Sequence, residues 1–593
     1  MKKGLVFVLA VMLMLNLFLQ AVPTFADGQP KIGAVNYETV DLNSFSEFLN
    51  EDREAYSFSS VPIMKSGAGD TDETEASSDS SAYSVSSLTD EELASILYAA
   101  AKALVTRVNL AGYNVTLDQL KRGLELIFWY KPDLFYLNAS YGYACYEGTN
   151  VVALAILNYR MSNDEIKAAR VVLENGLNEI VAQVDSSWSQ MEKVLFVHNW
   201  IVVNCEYDRS YTYADAYSVL TLRKGVCQGY SLLFGAIMAK LGIGVNYVVS
   251  VEKTHMWNVV CVDGKWYHLD LTWDDPVYIS GASNPGVDRL GRVSYDYFLV
   301  TDGQIKDNDH PSWSCSVEVS TEEFTDRFFA DAKSDCVYVD GKWYFVDEST
   351  RMLNCYDSAK DITTDLGLST GKWYVWGSSS RYYSASYSGV ASYDGKVYYS
   401  TQNSIKCYDP AEGKAVTVVT ADTSNGYVYG MRSKGNGVLE YEIATSSAVK
   451  ASAILTSYVG GLDLVEGSSC GLSDYVTGVE DGTTVAGLMA QFRQNVSVYN
   501  YHGDKLLGDE VLKTGDRVCV VIDGVTYRDV SVAVKGDVDG KRGADTIDYI
   551  KIKLQVKFEN LLTGVFRTAA DFDGNGVVDS TDGLCAKLRL KQA

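Results

Sequence analysis

Three residue types that together perform thiol chemistry occur within one stretch, Lys224–Pro276: Cys227, then His255, then Asp270. A cysteine attacks carbonyl carbon as its thiolate. An imidazole beside it takes up the proton and returns it to a leaving amine, and a carboxylate behind the imidazole orients the ring. These are read as nucleophile, general base and orienting acid.

The elements that must position them are visible in the spacing. Leu232, Leu233, Ala236, Ile237 and Leu241 recur at helical intervals after Cys227, and Gly242 is a stop signal, which predicts a buried helix with Cys227 in its first turn. Unpaired N–H groups and the helix dipole there favour a thiolate, and the Cys227 backbone N–H is the expected oxyanion donor. Met256–Val262 and Lys265–Trp273 read as strands joined by Asp263-Gly264, a two-residue hairpin signal. In that register Val262 faces Lys265, Trp257 faces Asp270, and His255 becomes a diagonal neighbour of Asp270 at roughly 7–8 Å. A one-residue slip would put the two on opposite faces. His268 shares the face with Asp270, so spacing alone leaves two candidates for the base.

The order GVCQGY, THMWN, DGKWYHLDLTWDDP resembles the bacterial transglutaminase-like superfamily, and the resemblance extends upstream through YKPDLFYL, EKVLFVHNWIVVNCEYD and ADAYSVL, covering roughly Leu88 to Asp275. It implies a papain-like core in which a helix-borne cysteine faces a His–Asp hairpin. It puts the nucleophile on Cys227, the base on His255 and the orienting acid on Asp270, leaving His268 as a neighbour on the sheet. The implied activity is acyl transfer or hydrolysis at peptide or glutamine amide bonds of a protein or peptide substrate, with no cofactor for catalysis. The alternative is a non-catalytic transglutaminase-like binding or assembly module. His198, on a predicted helix over Gln190–Asn204, is read as a packed histidine, and Tyr217 as a packed wall residue.

A second set of chemical residues lies near the C-terminus. Asp571, Asp573, Asn575, Gly576, Asp579 and Asp582 occupy positions 1, 3, 5, 6, 9 and 12 of an EF-hand-like loop, an oxygen-ligand set suited to Ca²⁺. Asp537, Asp539, Asp545 and Asp548 repeat positions 1, 3, 9 and 12, but Lys541 and Arg542 stand at positions 5 and 6, which should weaken this first loop. The duplicated loop-and-helix pattern resembles a dockerin. It implies a cohesin of a cellulosome-type scaffold as partner, recognised through Thr546, Ile547, Ser580 and Thr581.

The 593 residues suffice for several domains, and the net charge of −25 disfavours nucleic acid as a partner. Met1–Ala26 has a Lys2-Lys3 head, an apolar segment and a small-residue end, the pattern of a secretory signal. No other apolar run is long enough to span a membrane, so a secreted or cell-surface protein is expected. The 11 cysteines are scattered without metal-binding spacing, and few disulfides are expected. The expected class is α+β. After the signal, 27–87 is read as a mostly disordered Ser/Asp-rich linker, its low-complexity part being Ser66–Ser81. Helices over 88–190 lead into a core at 191–325. A β-repeat module at 330–445 follows, where VYVDGKWYFV recurs as ASYDGKVYYS 54 residues later and NCYD as KCYD. A small β spacer at 451–534 and a helical dockerin at 535–593 complete the chain.

Overall fold

The helices start where the side chains can cap them. In a computed structural model, which describes residues 32–39, 88–250, 255–278, 287–307, 310–325, 327–541 and 543–591, the first four described α-helices each open with a capping box. These are α1 (Asp90–Lys102), α2 (Leu117–Tyr130), α3 (Asn163–Val181) and α4 (Gln190–Asn204), capped by Thr89, Thr116, Ser162 and Ser189. The short α5 (Ala216–Leu222) is capped by Asp215. The next helix differs: α6 (Cys227–Leu241) has Val226 at its N-cap and no side-chain cap, and ends at Gly242 with φ +71°. The signal reading of Met1–Ala26, the linker reading of Ser66–Ser81 and Arg542 lie outside the described residues.

Within the stretch assigned to the linker, β1 (Asn36–Thr39) is a strand, a departure from that reading. It pairs with β3 (Leu137–Cys145), Asn36 opposite Tyr143, in a sheet completed by β2 (Arg107–Asn109) and β4 (Val152–Tyr159). Glu38 supplies the tie, accepting the hydroxyls of Tyr143 at 2.8 Å and Tyr141 at 3.1 Å. Two short strands, β5 (Glu206–Tyr207) and β6 (Lys224–Gly225), pair in parallel just ahead of α6.

The sheet that carries the site has the order β10–β9–β8–β7–β11, where β7 is Val245–Ser250, β8 His255–Val262, β9 Lys265–Leu269, β10 Phe298–Val300 and β11 Trp313–Ser314. Asp263 and Gly264 both have positive φ, +51° and +81°, the twist of a type I′ turn. Val262 pairs with Lys265, and the ladder runs to Asn258 opposite Leu269, so the register expected from the turn holds. β9 ends four residues before the expected strand end at Trp273, because the Asp270 side chain accepts the backbone N–H of Thr272 and Trp273 and turns the chain out of the ladder. The buried face of α6, including Leu232, Leu233, Phe234, Ile237 and Met238, packs on α3, α4, α5 and on β7 and β8.

The repeat in sequence is a repeat in structure. β12 (Val337–Val339), β13 (Lys342–Asp347), β14 (Met352–Asp357) and β15 (Ile362–Ser369) form a four-stranded antiparallel sheet turning at Asp340-Gly341. Strands Lys396–Ser400, Ser404–Asp409 and Lys414–Thr420 repeat the register, Tyr398 opposite Cys407 as Tyr344 is opposite Cys355. By itself, the unit formed mainly of Ile454–Ala593 holds a five-stranded sheet between Gly471 and Val534. It then has the helices α7 (Thr546–Phe558), α8 (Gly564–Ala570) and α9 (Ser580–Arg589). Among the described residues no helix is long and apolar enough to cross a membrane. None of the 11 cysteines is in a disulfide.

The first repeat sheet is joined to α4 by one buried polar contact. Trp343 Nε1 donates to Glu192 Oε1 at 2.9 Å, with both residues buried and Trp188 5.0 Å from the Trp343 ring. W343F keeps most of the ring volume but strips a buried carboxylate oxygen of its donor. It should therefore cost about 1–3 kcal/mol in urea unfolding; unchanged stability would show the contact to be inert.

Candidate active site and acidic loops

Cys227 is held at the mouth of α6 by the turn before it. Asp208 accepts from the N–H of Ser210, Thr212 and Tyr213 and from the Ser210 hydroxyl. Burial opposes its charge, but these bonds outweigh it and hold the carboxyl at about 2. The turn so formed aims the Tyr213 carbonyl at Val226 N–H, 2.9 Å away, while Asp208 N–H binds the Gly225 carbonyl. Glycine is required on both sides of Cys227. A Cβ on Gly225 would lie 2.3 Å, and on Gly229 2.6 Å, from Val219 Cγ2. With no side-chain cap, the first N–H groups of α6, Cys227 among them, are left for the site.

His255 opens β8 and faces both partners. Its Nε2 lies 2.5 Å from Asp270 Oδ2, and its ring hydrogen-bonds the Cys227 sulfur, which also receives the Met256 N–H. Burial raises the Cys227 thiol, but the His255 charge and these hydrogen bonds outweigh it, and the net direction is down. Burial likewise opposes an imidazolium at His255, yet the charges of Asp270 and Cys227 push it up to about 10. Asp270 is buried, but His255 and His310 carry it well below the usual carboxylate range. All three shifts favour a thiolate facing an imidazolium. Trp129, Val249 and Met256 form an apolar cluster against which Cys227 packs, and Trp257 stacks on the His255 ring at 5.6 Å.

His268, the other candidate from spacing, is committed elsewhere. Trp257 Nε1 can only donate, and it donates to His268 Nδ1 at 2.9 Å. That leaves the proton on Nε2, which faces Asp302 Oδ1 at 2.7 Å, and burial lowers the ring's proton affinity. His198 is also spoken for. It is fully buried between Asn199 Oδ1 at 3.0 Å and Asp274 Oδ2 at 3.1 Å, and it is a core histidine. Tyr217 stacks on Phe135 at 4.6 Å, as wall packing requires. Two groups at the site were not found by the sequence reading: Tyr207, whose hydroxyl burial and the Cys227 charge push up, and His310, whose Nε2 lies 3.0 Å from Asp270 Oδ2.

In the acidic loops, carboxylate oxygens of Asp571, Asp573 and Asp582 lie within 4.8 Å of one another, and the loop turns at Gly574 and Gly576 with φ +72° and +86°. This donor set fits Ca²⁺. Asn575 adjoins it, its side-chain amide donating to Asp573 Oδ2 at 2.9 Å. Asp579 instead caps α9 by accepting Thr581 N–H. In the first loop Asp537, Asp539 and Asp548 converge in the same way, and Asp545 caps α7. Here Lys551 Nζ sits 2.7 Å from Asp539 Oδ2, with Lys541 Nζ 3.9 Å from the same oxygen. Two ammonium groups on one ligand oxygen fit a cation poorly. Thr546, Ile547, Ser580 and Thr581 are exposed on the first turns of α7 and α9.

Iodoacetamide at neutral pH should alkylate Cys227 ahead of Cys205, whose thiol burial pushes up to about 12. H255N should slow Cys227 labelling by on the order of tenfold or more, because it removes the positive charge facing the thiolate. Mass spectrometry of peptides scores both, and labelling of Cys227 no faster than of Cys205 would refute the ion pair. The raised His255 has a stability consequence of fixed sign. Its contribution is complete below the unfolded histidine value of about 6.5 and is lost as pH rises through about 10.

Residues 178–271 match the family model described as the transglutaminase-like superfamily. Kyphoscoliosis peptidase of Mus musculus is 25% identical over 170 residues, 25% of this chain and 24% of that protein. The Homo sapiens protein of the same name is 27% identical over the same length. The chain thus spans about a quarter of the length of the curated relatives it matches. A solved TGase structure is 16% identical, with a TM-score of 0.17, over 29% of this chain and 52% of its own. The segment 178–271, which holds Cys227, His255 and Asp270, is a transglutaminase-like superfamily domain.

Proposed function

We propose that this chain is a thiol enzyme that transfers the acyl group of a peptide or glutamine amide bond to water or to an amine. The observation that carries the reading is the hydrogen-bonded series Cys227–His255–Asp270 at the uncapped start of α6. The thiolate attacks the amide carbonyl, and the oxyanion forms beside the free N–H groups of α6. The carbon–nitrogen bond then breaks as His255 delivers its proton to the departing amine, leaving an acyl-thioester on Cys227. Water or a second amine, deprotonated by His255, releases it. Asp270 holds the ring and balances its charge throughout. The name peptidase borne by two relatives supports the branch to water.

We read the chain as secreted and tethered. In that reading the C-terminal repeat is a dockerin that binds a cohesin when Ca²⁺ fills the second loop. An apolar stripe supports it: Ile547, Ile550, Leu554 and Phe558 are exposed along α7, and Leu584 and Leu588 along α9. These lie on the helices that carry Thr546, Ser580 and Thr581. A solvated helix has no need of such a stripe, and a partner surface would cover it.

Two measurements test the proposal. Incubation of the chain with a peptide library and a labelled primary amine, followed by acid quench, should trap an acyl adduct on Cys227 that C227A lacks. Label in the released peptide identifies transfer and its absence hydrolysis, while a library that yields no adduct would sink the enzyme reading. Separately, binding to a panel of cohesins should need Ca²⁺ and fall at least about tenfold in D571A, a loss of one ligand carboxylate. Binding indifferent to chelator would overturn the tether.

A further inference from the structure

The two acidic loops differ at a residue that lies outside both. Asp548 and Asp582, at the twelfth positions, are buried in the first turns of α7 and α9. Each accepts two backbone N–H groups of its own loop, Val538 and Asp545 for Asp548, Phe572 and Asp579 for Asp582. A residue three places further along a helix shares its face. In α7 that residue is Lys551, and Ile552 beside it is fully buried in a cluster with Val538 and Ala586, which fixes this turn of the helix. The Lys551 side chain reaches back toward the loop, and its Nζ lies 2.7 Å from Asp539 Oδ2, on a carboxylate only 11% exposed. In α9 the same place is held by Cys585, a short side chain without positive charge. Among the described residues no lysine or arginine pairs with Asp571, Asp573 or Asp582.

A calcium ion in such a loop draws together carboxylates that would otherwise repel one another. In the first loop Asp537, Asp539 and Asp548 bring oxygens within 4.8 Å of one another, and Lys551 sets an ammonium on the middle one. Asp537 is partly committed elsewhere. Its Oδ2 accepts the Thr514 N–H at 2.8 Å, whereas both oxygens of Asp571 serve their own loop, accepting the N–H of Gly574 at 2.8 Å and of Gly576 at 2.7 Å. Lys541 and Arg542, at the positions where the second loop has Asn575 and Gly576, point the same way. We propose that Lys551 is the first loop's own cation. Its ammonium takes the place of Ca²⁺ at Asp539, so that this loop folds without metal and the repeat holds one calcium site, in the second loop. α7, with its exposed stripe of Ile547, Ile550, Leu554 and Phe558, is then presented to a partner whether or not calcium is bound, and calcium acts on the partner face through α9. This inference rests on the reading of the repeat as a pair of calcium-type loops.

The test uses the full chain. Calorimetric titration with Ca²⁺ should find the site of the second loop in the parent and no loop site in D571A. An ion retained by D571A and lost in D571A/D539N would put calcium in the first loop and overturn the inference. Hydrogen exchange in chelator reads the role of Lys551 itself. The amides of α7 should be protected in the parent and in K551R, which keeps the charge. In K551M, which keeps most of the stem but takes the ammonium from Asp539, they should exchange about tenfold faster. The amides of β8 report whether each variant is otherwise folded. Protection of α7 that is equal in K551M and the parent would also overturn the inference. A parent that binds no Ca²⁺ while K551M still loosens α7 would overturn the calcium reading of the second loop and leave Lys551 in its role.

Discussion

A thiolate under apolar cover needs positive charge facing it, and that constraint organises the part of the chain around Cys227. Without a counter-charge, burial would return Cys227 to the neutral thiol. The counter-charge is His255, and it stays charged only because Asp270 stands behind it. Each member thus depends on the next, and each is delivered by a different element. α6 supplies the cysteine and its dipole, β8 the imidazole, and the turn after β9 the carboxylate. A shift of one residue in the β8–β9 register would break the series, which is why the tight Asp263-Gly264 turn matters beyond its own two residues. Gly225 and Gly229 do the equivalent work on the helix side, letting Val219 close against the backbone around Cys227.

Much of this geometry was legible in the residues themselves. An Asp-Gly pair between two apolar runs determines a register, and a register determines which side chains are neighbours. The helix was legible from its apolar spacing and its Gly242 stop. Sequence spacing could not separate His255 from His268, since both belong to the hairpin that carries Asp270. The distinction is made by Trp257, whose indole N–H occupies one nitrogen of His268, a contact that depends on side-chain packing. His310 was invisible for a different reason. It lies 40 residues from Asp270, in a segment without periodicity, and only tertiary folding brings the two together. The strand Asn36–Thr39 was missed because four residues in a polar neighbourhood carry too little pattern to mark a strand.

Three aspartates in the run DLTWDDP show how partner number, more than burial, sets the charge. All three are buried. Asp270 accepts from five groups: two imidazoles, two backbone N–H and the Thr272 hydroxyl. Its proton affinity is strongly lowered. Asp274 has the Tyr297 N–H and His198, and burial wins by a margin, raising its carboxyl. Asp275 has the Tyr230 hydroxyl on one oxygen and, among the described residues, no partner on the other, and burial drives it up to about 8, with the charge of Glu206 adding to the push. One short segment therefore holds an ionised acid beside two that resist ionisation. The ionised one is the one facing His255. What the chain needs of Asp270 is a lasting negative charge in a dry place, and it obtains this by number of donors. The second imidazole on the same oxygen then has a reason to exist. A carboxylate that must stay charged under cover benefits from every partner it can bind, and His310 is one of the five around Asp270.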